Sequence, residues 1–170
     1  MGSAGRTWRE IAPPHPTYYV LDPMGMALPM SIGLAVAQPK RQIVLLNGDG
    51  DFCTGISALL AVVEAQPKNL KIAVFNSGRY ESGGAQRLPA ANKVSIAAMA
   101  RGAGLGFAEE VSEDRQAADV VPEWIGFDGP ALVVFRVEVE ASPYLPERPW
   151  AKVEDRAVFM RSIHGESGPS

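Results

Sequence analysis

The sequence predicts an α/β protein in three layers, with a mostly parallel sheet and helices on both of its faces. Two observations predict this fold class. Short apolar runs alternate along the chain with longer segments of helical pattern. Two of these runs, Ile43–Leu46 and Leu70–Phe75, are apolar almost throughout, which is typical of strands buried on both faces. At 170 residues, with 46% hydrophobic and 21% charged residues, the chain is long enough for one domain with a substantial core.

The predicted strands are apolar runs bounded by turn residues. The first ends at Asp22-Pro23, the second follows the turn at Pro39-Lys40, and the last is the most strongly β-forming. Parallel order follows from the helices predicted between them. The predicted strands are Tyr18–Leu21, Ile43–Leu46, Leu70–Phe75, Gly106–Val111 and Pro130–Val137.

The predicted helices lie between and around those strands. Small apolar residues in the second helix suit close packing on the sheet. Gly102 is expected to end the fourth helix, and Ser112 to cap the fifth. Residues 1–170 are expected to form a single domain. A polar tail from about 164 to 170 is expected to be disordered. The predicted helices are Trp8–Ala12, Met24–Ala37, Thr54–Ala65, Val94–Arg101, Ser112–Ile125 and Trp150–Ile163, and the acids Glu109, Glu110, Glu113 and Asp114 are expected to be a solvated helix start.

Composition argues against several classes of function. The net charge of −3 and the lack of a basic stripe argue against nucleic-acid binding. The apolar runs are too short to span a bilayer, and no apolar signal region opens the chain, so we expect a cytoplasmic protein. Cys53 is the single cysteine, which excludes an intrachain disulfide. With no histidine nearby in sequence, Cys53 is expected to be a small buried residue and not a nucleophile.

Two polar motifs follow consecutive predicted strands. Gly48-Asp49-Gly50 follows one strand, and Asn76-Ser77-Gly78 follows the next. If the strands are parallel neighbours, a carboxylate, a carboxamide and glycine-rich backbone meet at the carboxyl edge of the sheet, where ligands bind in open α/β sheets. An oxygen-rich set with one acid suits Mg²⁺ shared with a phosphate. The alternative is that Gly-Asp-Gly is only a turn.

From Tyr18 to about Val137 the chain resembles the diphosphate-binding domain of thiamine-diphosphate enzymes. It looks most like the C-terminal or β-subunit part of sulfopyruvate and phosphonopyruvate decarboxylases. The resemblance rests on three stretches, 19–27, 48–52 and 76–86. In the last of these, Ser82-Gly83-Gly84-Ala85-Gln86 resembles a Ser-Thr-Gly-Gly-Gln motif.

This resemblance implies thiamine diphosphate and Mg²⁺ as cofactors. Side-chain oxygens of Asp49 and Asn76 and the carbonyl of Gly78 would be the metal ligands. Met24 would be the apolar wedge that keeps the cofactor bent, the alternative being a plain core residue. The carbonyl of Asp22 would accept the 4′-amino group of the pyrimidine. The diphosphate would lie against the turn and helix start formed by Gly48, Gly50, Asp51 and Phe52, where backbone N–H groups complete the anion site.

The sequence departs from the family pattern in three places. Asp22-Pro23 replaces a Gly-Ser or similar pair before the wedge. Asp51 replaces a frequent serine, and its carboxylate would repel phosphate oxygens unless it points away or meets the metal through water. The chain also begins late, so we expect that roughly 30–40 residues of the fold come from elsewhere, an estimate from the size of a βα unit.

The resemblance also implies a partner, because the glutamate that activates the cofactor lies on a separate pyrimidine-binding domain in this superfamily. We expect a hetero-oligomer, α₂β₂ or larger, that acts on a small 2-oxo acid; a homodimer is the alternative. The loop 79–92 is expected to form the substrate-side wall. Its candidate residues are Glu81, Ser82, Gln86 and Arg87, with His15 from the N-terminal segment; the alternatives are solvated loop side chains and, for His15, surface or core packing.

The leading hypothesis is a catalytic subunit of a thiamine-diphosphate-dependent 2-oxo acid decarboxylase, a lyase. A second hypothesis keeps the cofactor but changes the outcome to carboligation, as in acetolactate synthases, or to oxidation. The absence of cysteine clusters weakens oxidation. A third is a non-catalytic structural or regulatory domain of the same fold, which Asp22-Pro23 and Asp51 favour and which the intact metal motif opposes.

Overall fold

The computed structural model describes residues 2–11, 16–20, 23–138 and 153–164. Four strands form a parallel sheet in the order β1-β2-β6-β5, and two short strands form an antiparallel hairpin, β3-β4. The strands are β1 Ile43–Gly48, β2 Leu70–Asn76, β3 Arg79–Tyr80, β4 Gln86–Arg87, β5 Phe107–Val111 and β6 Ala131–Arg136.

Helices cover both faces of this sheet, which confirms the predicted α/β class. One apolar core joins the sheet to α2, α3, α4 and α5. The second core lies on the other face, against α6. The helices are α1 Gly2–Ile11, α2 Ala27–Ala37, α3 Asp49–Thr54, α4 Leu59–Ala65, α5 Ile96–Ala103, α6 Asp114–Gly126 and α7 Val153–His164. Among the residues described, none of these helices has the length and apolarity needed to cross a membrane.

Strand β2 lies at the centre of the sheet, between β1 and β6. Its side chains point alternately into the two cores. Ile72 and Val74 belong to the core with α2 to α5, and Ala73 packs with Trp124 of α6. The indole N–H of buried Trp124 donates to the carbonyl of Ala131 at 3.0 Å, so its polar group is satisfied. This rigid centre holds the carboxyl ends of β1 and β2 side by side.

Three predicted elements differ clearly in the structure. The helix predicted at Trp8–Ala12 begins earlier, as α1 from Gly2 to Ile11. The predicted helix Thr54–Ala65 is interrupted: α3 begins at Asp49, directly after β1, and ends before Gly55. The interruption falls at Gly55, where the backbone lies so close to that of Gly25 that neither position has room for a Cβ. The predicted strand Tyr18–Leu21 does not form over 18–20, and Leu21 lies outside the described residues.

The predictions that Ser112 caps a helix and that the acids around it form a solvated helix start are also partly wrong. Glu113 occupies the N-cap of α6, and the N–H of Ser112 donates to the side chain of Gln116 at 3.1 Å. Glu109 and Glu110 lie on β5 and not at a helix start. Glu110 accepts hydrogen bonds from Arg136 and from Ser95, the N-cap of α5. That residues 1–170 form one domain stays a prediction.

Candidate functional site

The tips of β1 and β2 lie together at the carboxyl edge of the sheet. The parallel register pairs Gly48 with Phe75, so Asp49 and Asn76 follow at the same level. One backbone N–H, that of Gly78, donates to Oδ2 of Asp49 at 2.6 Å and to Oδ1 of Asn76 at 3.2 Å. Two side-chain oxygens from different strands therefore converge on one point, as the motif spacing predicted.

The carboxylate of Asp49 is almost fully buried, with 2% of the residue exposed. Burial raises its pKa, the N–H groups of Gly78 and Gly50 act in the opposite direction, and the charge of nearby Glu81 raises it further. The Gly50 N–H donates to Oδ1 at 2.9 Å. A cation beside this carboxylate would favour its ionised form, because an opposite charge offsets the loss of solvation.

Gly78 has φ +71, a left-handed conformation that suits glycine. Its carbonyl accepts the N–H of Leu88 at 2.8 Å. A carbonyl oxygen has two lone pairs, so this bond leaves one for a metal. Within the described residues no group of three or more His, Cys, Asp or Glu side chains is placed to hold a metal. The donors at this edge are thus one carboxylate, one amide oxygen and one carbonyl, a set of hard oxygens that fits Mg²⁺.

The turn after Asp49 is built around two glycines. A Cβ on Gly48 would meet nothing within 4 Å, so the space beside this residue is open to a ligand. A Cβ on Gly50 would lie 2.7 Å from Cδ1 of Tyr80 and 3.5 Å from Cε of Met24, so these two side chains cover Gly50. Phe52 is fully buried in the core, which leaves only its backbone for a ligand.

The loop that bears Met24 is fastened to α3. The N–H of Gly25 donates to Oδ1 of Asp51 at 2.9 Å, and the N–H of Met26 donates to the carbonyl of Pro23 at 3.3 Å. Met24 itself is 40% exposed, so it is not a plain core residue. The Asp51 carboxylate is buried against this loop, and its Oδ2 has no hydrogen-bond partner in the part of the chain described.

The β3-β4 hairpin places the candidate substrate residues beside the strand tips. Glu81 is close enough for its charge to raise the pKa of Asp49. The side chain of Gln86 folds over Gly84, where a Cβ would lie 3.2 Å from its Nε2. Arg87 is exposed and lies opposite Arg79 across the hairpin. His15, Asp22 and the side chain of Ser82 lie outside the described residues.

Sequence reasoning missed two residues at this edge. Tyr80 covers Gly50, and its signal was its place directly after Asn76-Ser77-Gly78-Arg79. Asn47 is fully buried, and neither polar atom of its side chain has a partner among the described residues. Its signal was a single polar residue at the end of the apolar run that forms β1. Asn47 places a buried amide two residues before Asp49.

A cavity of about 240 Å³ lies behind Asn76, between α3 and the segment that leads into α5. Its wall is almost entirely apolar and includes Cys53, Ile56, Leu88, Val94 and Met99. Burial raises the pKa of the Cys53 thiol to about 11, with a smaller contribution from the charge of Asp49. Cys53 is therefore protonated at neutral pH. It is half-buried at the wall of this cavity, and not fully buried as predicted.

Comparison with protein families gives a match over residues 2–135. The matching family is described as "Thiamine pyrophosphate enzyme, C-terminal TPP binding domain". Among curated proteins, sulfopyruvate decarboxylase subunit beta of Methanothermobacter thermautotrophicus is 30% identical over 104 residues, which cover 59% of this chain and 55% of that protein. The chain thus spans about half the length of this relative.

Two further relatives are longer proteins. Phosphonopyruvate decarboxylase of Streptomyces viridochromogenes is 28% identical over 116 residues, 68% of this chain and 29% of that protein. Acetolactate synthase isozyme 1 large subunit of Escherichia coli is 31% identical over 137 residues, 73% of this chain and 24% of that protein. Among solved structures, benzoylformate decarboxylase from Polynucleobacter necessarius matches with a TM-score of 0.61 at 23% identity, over 71% of this chain and 25% of that one.

Proposed function

Because the chain belongs to the family of C-terminal thiamine-pyrophosphate-binding domains, we propose that it is the diphosphate-binding subunit of a 2-oxo acid decarboxylase. The observation that supports this most is the convergence of the Asp49 and Asn76 oxygens on the N–H of Gly78. It places a carboxylate and an amide oxygen where one divalent ion could contact both. No other pair of strand tips in the described sheet offers two such side chains, since β5 and β6 end in Val111 and Arg136.

The proposed site holds the cofactor by its charged end. Asp49, Asn76 and the free lone pair of the Gly78 carbonyl would bind Mg²⁺, and the open space beside Gly48 would receive the diphosphate. Met24 would contact the thiazolium, since its side chain is partly exposed and reaches Gly50. When bound, thiamine diphosphate supplies the electron sink that lets a 2-oxo acid lose CO₂.

The substrate wall of the proposed site is the β3-β4 hairpin. Arg79 and Arg87 are cross-strand neighbours, and within the described residues neither forms an ion pair with a carboxylate. Both arginines are exposed, so solvent screens their repulsion, and an anion near both would form favourable charged hydrogen bonds. We therefore expect the hairpin to face an acidic substrate, with Glu81, Ser82 and Gln86 as further contacts. The relatives named for sulfopyruvate and phosphonopyruvate support a doubly anionic acid.

A partner subunit with a pyrimidine-binding domain belongs to the same proposal. It is supported by the sulfopyruvate decarboxylase relative, whose name designates it subunit beta and of which this chain spans about half. The α₂β₂ stoichiometry, the cytoplasmic location and the roles of His15 and Asp22 stay predictions from the sequence. Carboligation is the second candidate outcome, favoured by the 31% identity with an acetolactate synthase subunit.

The test is calorimetric titration of the full chain, with its partner subunit, with thiamine diphosphate in Mg²⁺ and in excess EDTA. We expect binding that needs the metal. Asp49→Asn removes the only carboxylate of the donor set, so its affinity loss should exceed the roughly 10–100-fold typical of residues around metal ligands. Asp119→Asn, an exposed carboxylate on α6, is the matched control. Metal-independent binding, or equal affinity of both variants, would contradict the proposal.

The reaction itself is tested by incubating the complex with sulfopyruvate, phosphonopyruvate and pyruvate and identifying the products. An aldehyde formed with CO₂ supports decarboxylation. An acyloin or 2-hydroxy-2-methyl-3-oxo acid would move the proposal to carboligation. No turnover in a complex that binds the cofactor would favour a non-catalytic domain.

A further inference from the structure

A buried carboxylate lies where the sequence led us to expect conflict with a diphosphate. Asp51 is the third residue of α3, two positions after the metal-site residue Asp49. It is only 6% exposed. Its side chain does not face the open space beside Gly48; it is bonded to the loop that precedes α2. Asp51 therefore contacts the loop before α2, and not the diphosphate end of the site where the sequence resemblance placed it.

The bond from Gly25 to Asp51 joins two segments that are distant in sequence. The N–H of Gly25 donates to Oδ1 of Asp51 at 2.9 Å across a separation of 26 residues. Gly25 has φ +90, and a Cβ there would lie 2.9 Å from the backbone nitrogen of Gly55. The loop is thus pressed against the end of α3 without any side chain between them. Asp51 supplies the polar contact that holds this close approach.

Met24 is the neighbour that this fastening controls. Its Cε lies 3.5 Å from the point that a Cβ on Gly50 would occupy, and the ring of Tyr80 lies against the same point. A long unbranched side chain has several rotatable bonds, so its position depends on a fixed backbone. The backbone on its C-terminal side is fixed by the bond from Gly25 to Asp51.

We propose that Asp51 is a positioning residue, which sets the place of Met24 by accepting the Gly25 N–H. The significance for the cofactor rests on the proposed function, because Met24 is the residue assigned there to the thiazolium. The geometric part does not rest on it. A serine at this position has a shorter side chain, so the carboxylate gives the chain a reach across to the loop that a hydroxyl lacks. Burying a half-satisfied carboxylate is costly, which is consistent with a specific role for its bonded oxygen.

The experiment follows two NMR signals in the full chain without cofactor. The first is hydrogen exchange of the Gly25 amide, and the second is the methyl resonance of Met24 in protein labelled at methionine methyl groups, assigned with Met24→Leu. In the wild type we expect a protected amide and a methyl signal shifted by the ring of Tyr80. Asp51→Ala should speed exchange of the Gly25 amide by on the order of tenfold to a hundredfold, the loss of a hydrogen bond to a charged acceptor. The Met24 methyl signal should move toward its unfolded position.

Two variants separate positioning from general loosening of α3. Asp51→Asn keeps an oxygen acceptor for Gly25, so both signals should stay near those of the wild type. Thr54→Val removes the bond from Thr54 to the carbonyl of Gly50, 2.8 Å long and in the same helix, without touching the loop. An unprotected Gly25 amide in the wild type would overturn the proposal, even if Asp51→Ala fails to fold. So would equal effects of Thr54→Val and Asp51→Ala, or failure of Asp51→Asn to retain both signals.

Calorimetric titration of the complex with thiamine diphosphate and Mg²⁺ then links position to binding. We expect Asp51→Ala to weaken binding by about tenfold and Asp51→Asn to retain it. Unchanged binding in Asp51→Ala, with both NMR signals altered, would overturn the part of the inference that concerns the cofactor. If the wild type binds no cofactor, the proposed function fails, while the two NMR signals still decide whether Asp51 positions the loop.

Discussion

The aromatic ring of Tyr80 lies over Gly50, so closely that a Cβ on Gly50 would be 2.7 Å from its Cδ1. The two residues belong to different segments, the β3-β4 hairpin and the first turn of α3. The contact joins the segment that follows Asn76 to the segment that follows Asp49. The turn at Asp49 and the β3-β4 hairpin are therefore packed against each other.

Gly50→Ala should destabilise the protein by about 1–3 kcal/mol, because an added methyl group forces the Tyr80 ring to move. Urea denaturation measures the loss. In a Tyr80→Ala background the same change should cost at least 1 kcal/mol less, on the order of contact coupling energies. Gly33→Ala is the control: its Cβ meets nothing within 4 Å, and it lies inside α2. It should stabilise the chain by roughly 0.5–1 kcal/mol. Equal costs of Gly50→Ala in both backgrounds would contradict the packing.

Lys71→Met should destabilise the protein by about 1–3 kcal/mol, because it leaves buried carbonyls without a donor. The Nζ of Lys71 donates to the carbonyls of Gly129, Phe127 and Lys68 at 2.7, 2.8 and 3.2 Å. The residue is only 2% exposed. Lys71→Met also removes the cost of burying a charged amine, but we expect the loss of three hydrogen bonds to outweigh this gain. Lys93→Met, at an exposed position, is the control, and an unaltered urea midpoint for Lys71→Met would contradict the role.

The burial of Lys71 also predicts that the free energy of unfolding depends on pH in alkaline solution. Burial lowers the pKa of Lys71 below 10.5, and the charge of Asp128 opposes this only in part. Between the folded pKa and 10.5 the unfolded chain binds the extra proton, so this group makes stability rise with pH in that window. Lys71→Met lacks this contribution. The difference in unfolding free energy between wild type and variant should therefore grow as pH rises toward 10.5; a constant difference would show that the lysine keeps its ordinary pKa.

Glu110→Gln should reduce stability by about 0.5–1.5 kcal/mol at pH 7, with the exposed side of Arg136 limiting the value. Burial raises the pKa of Glu110, but the bonds from Arg136 at 2.5 Å and Ser95 at 2.9 Å, with the charge of Arg101, lower it by more. A lowered folded pKa means that this stabilisation is present above 4.5 and is lost as pH falls through the folded pKa. Urea titrations from pH 7 to 3 should show the two proteins converging. Glu123→Gln, an exposed acid, should show no such convergence.

Much of the fold, and the meeting of Asp49 with Asn76 at one edge of the sheet, could be predicted because both depend on local pattern. The apolar runs of β1 and β2 fixed two parallel neighbours, and the polar motifs directly after them had to meet at one edge. Gly55 shows what pattern could not supply. The interruption of the helix predicted from Thr54 to Ala65 coincides with its contact with Gly25, thirty positions away in the chain, and long-range backbone contacts leave no periodicity.

The partners of polar side chains were the other part that sequence could not supply. Asp51 had two possible directions, toward the metal or away from it, and only the position of Gly25 decides between them. Glu110 was placed with the solvated acids of a helix start because Arg136 and Ser95 are distant in sequence. For these residues the informative quantity is the tertiary partner, which composition and spacing do not contain.

The approach of Gly25 to Gly55 has a consequence for redesign. Neither position can take a side chain without moving backbone, since each would meet the main chain of the other. Attempts to enlarge the proposed substrate site by substitutions in the loop around Met24 would therefore be limited, because Gly25 and Gly55 cannot be replaced one at a time. Substitutions at the exposed residues Gln86 and Arg87 of the β3-β4 hairpin should instead change which acids bind, without altering the contact between Gly25 and Gly55.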